Sequence, residues 1–204
     1  DVCSSDLWAG SQLEWHGQAV VGEQLTKTSV VDAITPKHGR QGDLVFVRVR
    51  HDITNSAGAP VLREHQDIVY RELPRPDAPV IPPSPPTRAA QWQHSITPDP
   101  VLLFRYSALS YNGHRIHYDR EWAREEGYRN LVVHGPLTAT LLLQAAMDDV
   151  AENHVSALSF RGLAPLVCGE TIQLCGSAEG QSVELWACGP DSGVAMTVSL
   201  RLER

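Results

Sequence analysis

The chain has 204 residues, 42% of them hydrophobic and 20% charged, enough apolar material to bury a core without metal or disulfide staples. Its 17 basic and 24 acidic residues give a net charge of −7, which argues against non-specific binding to nucleic acid or to an anionic membrane. No apolar run reaches the ~20 residues of a membrane span, and Cys3, Cys168, Cys175 and Cys188 form neither a CxxC pair nor a zinc spacing.

Along the chain, Asp1–Leu7 is polar and patternless and reads as a scar or the broken edge of a longer protein. Residues 8–72 read as a first half made almost wholly of strands. Gln12–Val20 opens it, Glu23–Ile34 follows, and Leu44–Arg50 alternates apolar and basic residues at period two. A turn at Asn55–Gly58 returns the chain through Val61–Tyr70. Residues 73–100 hold nine of the 14 prolines and predict an extended linker, since proline donates to neither a helix nor a ladder.

Residues 101–204 form the second half. Ser110–Asp119 has no regular period and predicts a structured loop. Gly135–Met147 predicts a helix buried on most faces, with Pro136 suited to the first helical position, where a missing N–H costs nothing. Strand-like runs follow at Val155–Phe160, Thr171–Ser177, Val183–Ala187 and Val194–Leu200. Three of the cysteines lie in apolar stretches of this half, which reads as buried free thiols in a reducing, cytoplasmic compartment.

The halves share a short repeat. Val20-Val21-Gly22-Glu23-Gln24-Leu25 echoes Leu166-Val167-Cys168-Gly169-Glu170-Thr171-Ile172 in an apolar-x-Gly-Glu-x-apolar core, and each copy precedes a strand and then a hairpin. The halves are therefore expected to be structural duplicates, the first lacking a helix because the chain begins inside it. An incomplete half leaves a homodimer open as the assembly.

Two segments carry candidate chemistry. The first, Arg105–Asp119, packs Asn112, His114, Arg115, His117, Tyr118 and Asp119 into one stretch. The second, Val132-Val133-His134-Gly135-Pro136, opens the helix, where unpaired N–H groups and the positive end of the helix dipole suit an oxyanion. Gly135 would let a ligand carbonyl approach the backbone. His114 and His117 form an HxxH without a convincing third ligand, so no metal site is expected.

Together the segments resemble the MaoC-like (R)-specific hydratases and dehydratases, whose Ser/Ala-x-x-(Gly)-Asp-x-Asn-Pro-apolar-His loop precedes an apolar-His-Gly helix start. Ser107–His117 and Val132–Leu137 stand in that order. Asn112–Asp119 is most similar to the two-repeat subgroup of mitochondrial-type 3-hydroxyacyl-thioester dehydratases and mesaconyl-C4-CoA or itaconyl-CoA hydratases. Trp8-Ala9-Gly10, Asp67–Glu72 and Phe160–Leu166 extend the likeness over nearly the whole chain.

The resemblance implies an α+β double hot-dog, an antiparallel sheet wrapped around a long central helix, with its first repeat incomplete at the N-terminus. It implies reversible addition of water to an enoyl-CoA, with the acyl-CoA as the small-molecule partner and no separate cofactor. His117 would be the general base and acid, suited by an ordinary pKa of ~6.5, and the Gly135 N–H the oxyanion donor. Asn112 stands where the family's usual loop has Asp. An amide takes up no proton near neutrality but can hold water, so the expectation is a one-base mechanism with Asn112 as the water holder. His114, Arg115, Tyr118, His134 and Arg161 are candidate contacts to substrate or CoA, Arg115 as the partner of an acyl carboxylate.

Two other readings compete. A hot-dog thioesterase would need a carboxylate to activate water, and the helix has none before Asp148 and Asp149, leaving Asp119. A subunit that binds acyl thioesters without turnover would need only the fold.

Overall fold

The structure, a computed structural model, describes residues 6–39, 42–71, 82–147 and 154–203. The first half supplies β1 (Asp6–Trp15), β2 (Thr26–Gly39), β3 (Gly42–Thr54) and β4 (Pro60–Arg71). Then come β5 (Trp92–Ile96), α1 (Pro100–Ser110), a 3₁₀ turn (Arg115–His117), α2 (Arg120–Glu125) and α3 (Gly135–Met147). The chain finishes with β6 (His154–Gly162), β7 (Ile172–Glu179), β8 (Ser182–Cys188) and β9 (Val194–Glu203).

All these strands join one antiparallel sheet in the order β2-β3-β4-β1-β6-β9-β8-β7-β5. Read outward from the central β1–β6 pair, β4, β3 and β2 on one side answer β9, β8 and β7 on the other. The repeated Gly-Glu motif explains how the outer strands begin. Gly22 and Gly169 have φ of 89° and 86°, and in each copy the next residue's N–H closes the turn, Glu23 on the Val20 carbonyl at 3.0 Å and Glu170 on that of Val167 at 3.4 Å. A third turn position with positive φ favours glycine. The shared letters thus encode one turn used twice.

Period-two patterning decides the faces. In β3, Arg48 and Arg50 alternate with Val47 and Val49, and Arg48 sits opposite Asp67 of β4, making two parallel 2.7 Å hydrogen bonds to it. On the second side α3 packs across β7, β8 and β9. Its Leu137, Leu142 and Ala146 join Leu158, Leu185 and Val198 in one buried cluster, each large side chain contributing ~1.5–3 kcal/mol on leaving water. Among the described residues, 6–71 contain no helix, and β2 leaves Val31 and Ile34 exposed.

The proline-rich stretch is not a linker throughout. Residues 73–81 lie outside the described residues, but Trp92–Ile96 pairs with β7 at the sheet edge. Trp92 lies so close over Gly176 that a Cβ there would come within 2.4 Å of the indole. Asp99 then caps α1, accepting the Leu102 N–H at 2.7 Å, and Pro100 is the first helical residue.

The two sides of the sheet meet closely at Gly10, in a bulge of β1, where an added Cβ would stand 2.5 Å from the Phe160 carbonyl of β6. Neither atom belongs to a flexible side chain. Gly10→Ala is expected to cost about 1–3 kcal/mol in denaturant unfolding, the usual range for overpacking; an unchanged midpoint would show that the strands can part there freely.

Candidate active site

The loop after α1 is shaped by its own side chains. Tyr111 ends the helix in the left-handed region, at φ 52°. The Asn112 N–H bonds the Ser107 carbonyl at 3.0 Å, and Asn112 Oδ1 accepts the His114 N–H at 3.0 Å. The 3₁₀ turn then carries His117 into the interior, where it is buried. Its Nδ1–H donates to the Val132 carbonyl at 2.7 Å. A carbonyl only accepts, so the proton sits on Nδ1 and Nε2 keeps its lone pair.

Val132 also donates its N–H to the Ile116 carbonyl at 2.9 Å and forms an isolated bridge with Val167. The segment before α3 is thereby fixed from both sides, and His134 and Gly135 follow directly. The rings of His117 and His134 stack at 3.6 Å between centroids, and His134 Nε2 lies 2.9 Å from Ser107 Oγ. His134 Nδ1 is buried without a partner among the described residues. Burial first, and the neighbouring His114 second, push the His117 pKa down to about 4, although its bond to Val132 opposes the shift. Burial and the facing imidazoles likewise push His134 down to about 3. Both rings are therefore neutral at neutral pH.

A cavity of about 530 Å³ opens beside this stack, within the range of small-molecule sites. Asn112, His114, His117, His134 and Gly135 line it together, from the loop and the α3 N-terminus. Gly135 belongs to the first turn, whose N–H groups have no intrahelical acceptor. A Cβ at Gly135 would meet the Trp8 carbonyl at 3.5 Å and Met196 Cε at 3.7 Å, both from cavity-lining residues. Any side chain here would take up ligand space.

Three expected contacts lie elsewhere. Arg115 turns away from the cavity, with its Nη2 2.6 Å from Asp119 Oδ2 and its guanidinium carbon 4.1 Å from the Trp122 ring centroid. Tyr118 closes the turn, donating its hydroxyl to the Gly113 carbonyl at 3.0 Å. Arg161 is exposed and lines a separate hollow with Lys37, Arg48 and Asp67. Asp119, the carboxylate a thioesterase would need, is occupied as the cap of α2 and by Arg115. Asp148 and Asp149 lie outside the described residues.

Sequence reasoning missed the contribution of the first half. Trp8 and Ala9 of β1 and Gln66, Ile68 and Val69 of β4 line the cavity. For all but Gln66 the signal was only membership in segments that carry the family likeness. It also missed Glu126, a buried carboxylate whose Oε1 accepts the indole N–H of Trp122 and lies 3.4 Å from His114 Nε2. The Trp-x-x-x-Glu spacing on a short helix was the available clue.

Comparison with known proteins identifies the family. Residues 4–168 match the family model of hydroxyacyl-thioester dehydratase type 2. The chain is 40% identical over 200 residues to the mesaconyl-C(4)-CoA hydratase of Chloroflexus aurantiacus, covering 96% of this chain and 70% of that protein. Among solved structures, a MaoC-like dehydratase from Phytophthora capsici matches 98% of this chain and 70% of its own, with a TM-score of 0.75 at 20% identity. A Mycobacterium tuberculosis protein described as a double hot-dog matches 98% and 76%, with a TM-score of 0.68 at 14% identity. The chain belongs to the hydroxyacyl-thioester dehydratase type 2 family, as an enzyme of the hydratase/dehydratase type on a MaoC-like double hot-dog fold.

Proposed function

We infer that the site catalyses the reversible hydration of an enoyl-CoA, of mesaconyl or itaconyl type or a short 2-enoyl group, to a hydroxyacyl-CoA. The observation that carries this is the tautomer of His117. With Nδ1–H committed to Val132, a neutral Nε2 is left as a proton acceptor in a residue that lines the cavity beside the α3 N-terminus. His117 takes a proton from water as the oxygen attacks the β-carbon. The Gly135 N–H receives the charge that develops on the thioester oxygen, a task suited to a fixed donor in a site of low water content. Asn112 contributes its amide NH₂ to hold the water, since its Oδ1 is used by the His114 N–H. The Chloroflexus relative, named for mesaconyl-C(4)-CoA, supports testing a dicarboxylic acyl group beside a plain one.

Loss of enoyl absorbance with crotonyl-CoA and mesaconyl-C4-CoA tests this reading directly. His117→Ala is expected to lower kcat by about 10²–10⁴, the usual worth of a positioned acid–base group. Because His117 is pushed down to about 4, kcat/KM of the wild type should stay level from neutrality to about pH 5 and fall only below it. Full activity in His117→Ala, or a fall centred near the ordinary ~6.5 of a free histidine, would remove His117 from this role.

The Arg115 geometry revises the expected carboxylate contact. A guanidinium already paired with Asp119 and stacked on Trp122 has little reach for a ligand in the cavity. Arg115→Ala is expected to leave the ratio of mesaconyl-C4-CoA to crotonyl-CoA rates within about twofold of wild type, below the tenfold that 1.4 kcal/mol of lost binding would give. A selective collapse of the mesaconyl rate would restore Arg115 as the carboxylate partner.

A further inference from the structure

Hydration needs two proton events, one taking a proton from water and one giving a proton to the α-carbon. His117 supplies the first, and Asn112 cannot supply the second, since an amide does not titrate near neutrality. The titratable side chains lining the cavity are the Tyr128 phenol and three imidazoles that face one another from three elements. The imidazoles are His117 in the 3₁₀ turn, His134 at the start of α3, and His114 before the turn, which alone has a carboxylate behind it, Glu126 just after α2. The Arg115–Asp119 pair lies beside them but outside the cavity.

Glu126 is a buried carboxylate that the hydratase reading does not use. Its side chain is only 7% exposed, and its one ion-pair partner among the described residues is His114, itself 13% exposed. Burying a carboxylate is expensive unless it is paired and hydrogen-bonded. Its Oε1 is held by the Trp122 indole, and His114 Nε2 lies 3.4 Å away. That leaves His114 Nδ1 without a partner among the described residues, on a residue lining the cavity and edge-on to His117 at 5.7 Å between ring centroids. A buried carboxylate behind an imidazole fixes its orientation. His134 has no such carboxylate, and its Nε2 is engaged with Ser107.

We propose that His114, backed by Glu126, is the second proton-transfer residue of this site, protonating the α-carbon in hydration and removing its proton in dehydration. The proposal rests on the hydratase reading and replaces its one-base form. In hydration a water O–H bond breaks, its proton passes to His117 Nε2, and its oxygen bonds the β-carbon. The π pair moves onto the thioester enolate. The enolate α-carbon then takes the Nδ1 proton of His114, and solvent reprotonates His114 and deprotonates His117, so the cycle closes with no other reactant. Glu126 touches no substrate; it acts through His114 as a positioning residue.

The test is the pH dependence of crotonyl-CoA and mesaconyl-C4-CoA hydration in the full chain. Wild type should show an alkaline fall in kcat/KM, the limb reporting His114. His114→Gln should lose about 10–100-fold in kcat, with KM within about threefold, and lose that limb altogether. Glu126→Gln should lower kcat with KM little changed, because the carboxylate that fixes the His114 ring is gone. If Glu126→Gln does not fold, His114→Ala decides: added imidazole should restore part of its turnover, with rescue fading as imidazole deprotonates. Wild-type kcat in His114→Gln, a loss of rate with an unchanged pH profile, or the absence of rescue would overturn the proposal. An active His117→Ala would overturn the hydratase reading instead, so the two failures are distinguishable.

Discussion

Val132 holds the site together. Its N–H bonds the backbone just before His117, its carbonyl accepts the His117 Nδ1–H, and its bridge to Val167 ties both to the segment leading into the outer strands. One residue thereby fixes the position of the base, the tautomer of its ring and the point where α3 begins. The first turn of α3 offers backbone donors only because the chain reaches Gly135 in that orientation. A loop and a helix N-terminus far apart in sequence become one site through these short bonds.

The electrostatics follow from the same packing. Three imidazoles are brought together, and the two deepest share a stacked contact in which a second positive charge would be costly. Burial first, and repulsion from His114 on both rings and from His117 on His134, keep His117 and His134 neutral, so these two rings are bases ready to accept protons instead of cations that must first lose them. The buried carboxylate Glu126 sits behind His114, outside this stack. Proton acceptance and proton donation can thus be assigned to different rings of one small cluster, with a carboxylate placed behind only one of them.

The sequence was legible where local chemistry and long-range structure agree. Gly135-Pro136 followed by an apolar run marked α3, alternation marked β3, and the Gly-Glu repeat marked the turns of a duplicated sheet. It was illegible where the structure depends on partners distant in the chain. In α1 only Leu103 is buried while Val101, Phe104 and Leu109 are exposed, so its apolar residues trace no single face. The six residues of α2 are too few to show a period. The strand β5 was hidden by prolines on either side and exists through its pairing with β7, some 80 residues away. Within the site, His117, Asn112 and Gly135 stood in a recognisable pattern. Arg115, expected from its guanidinium fork to meet an acyl carboxylate, is held by Asp119 and Trp122, partners that the residue type alone does not reveal.

The central claim is that His117 is a neutral imidazole carrying its proton on Nδ1. Nitrogen-15 NMR of the histidine rings at neutral pH measures this directly, with His117→Ala used to assign the signal. The account predicts a protonated Nδ1 and a bare Nε2 that persists until the solution is well below the ordinary histidine range. A ring protonated on Nε2, or doubly protonated at neutral pH, would contradict it.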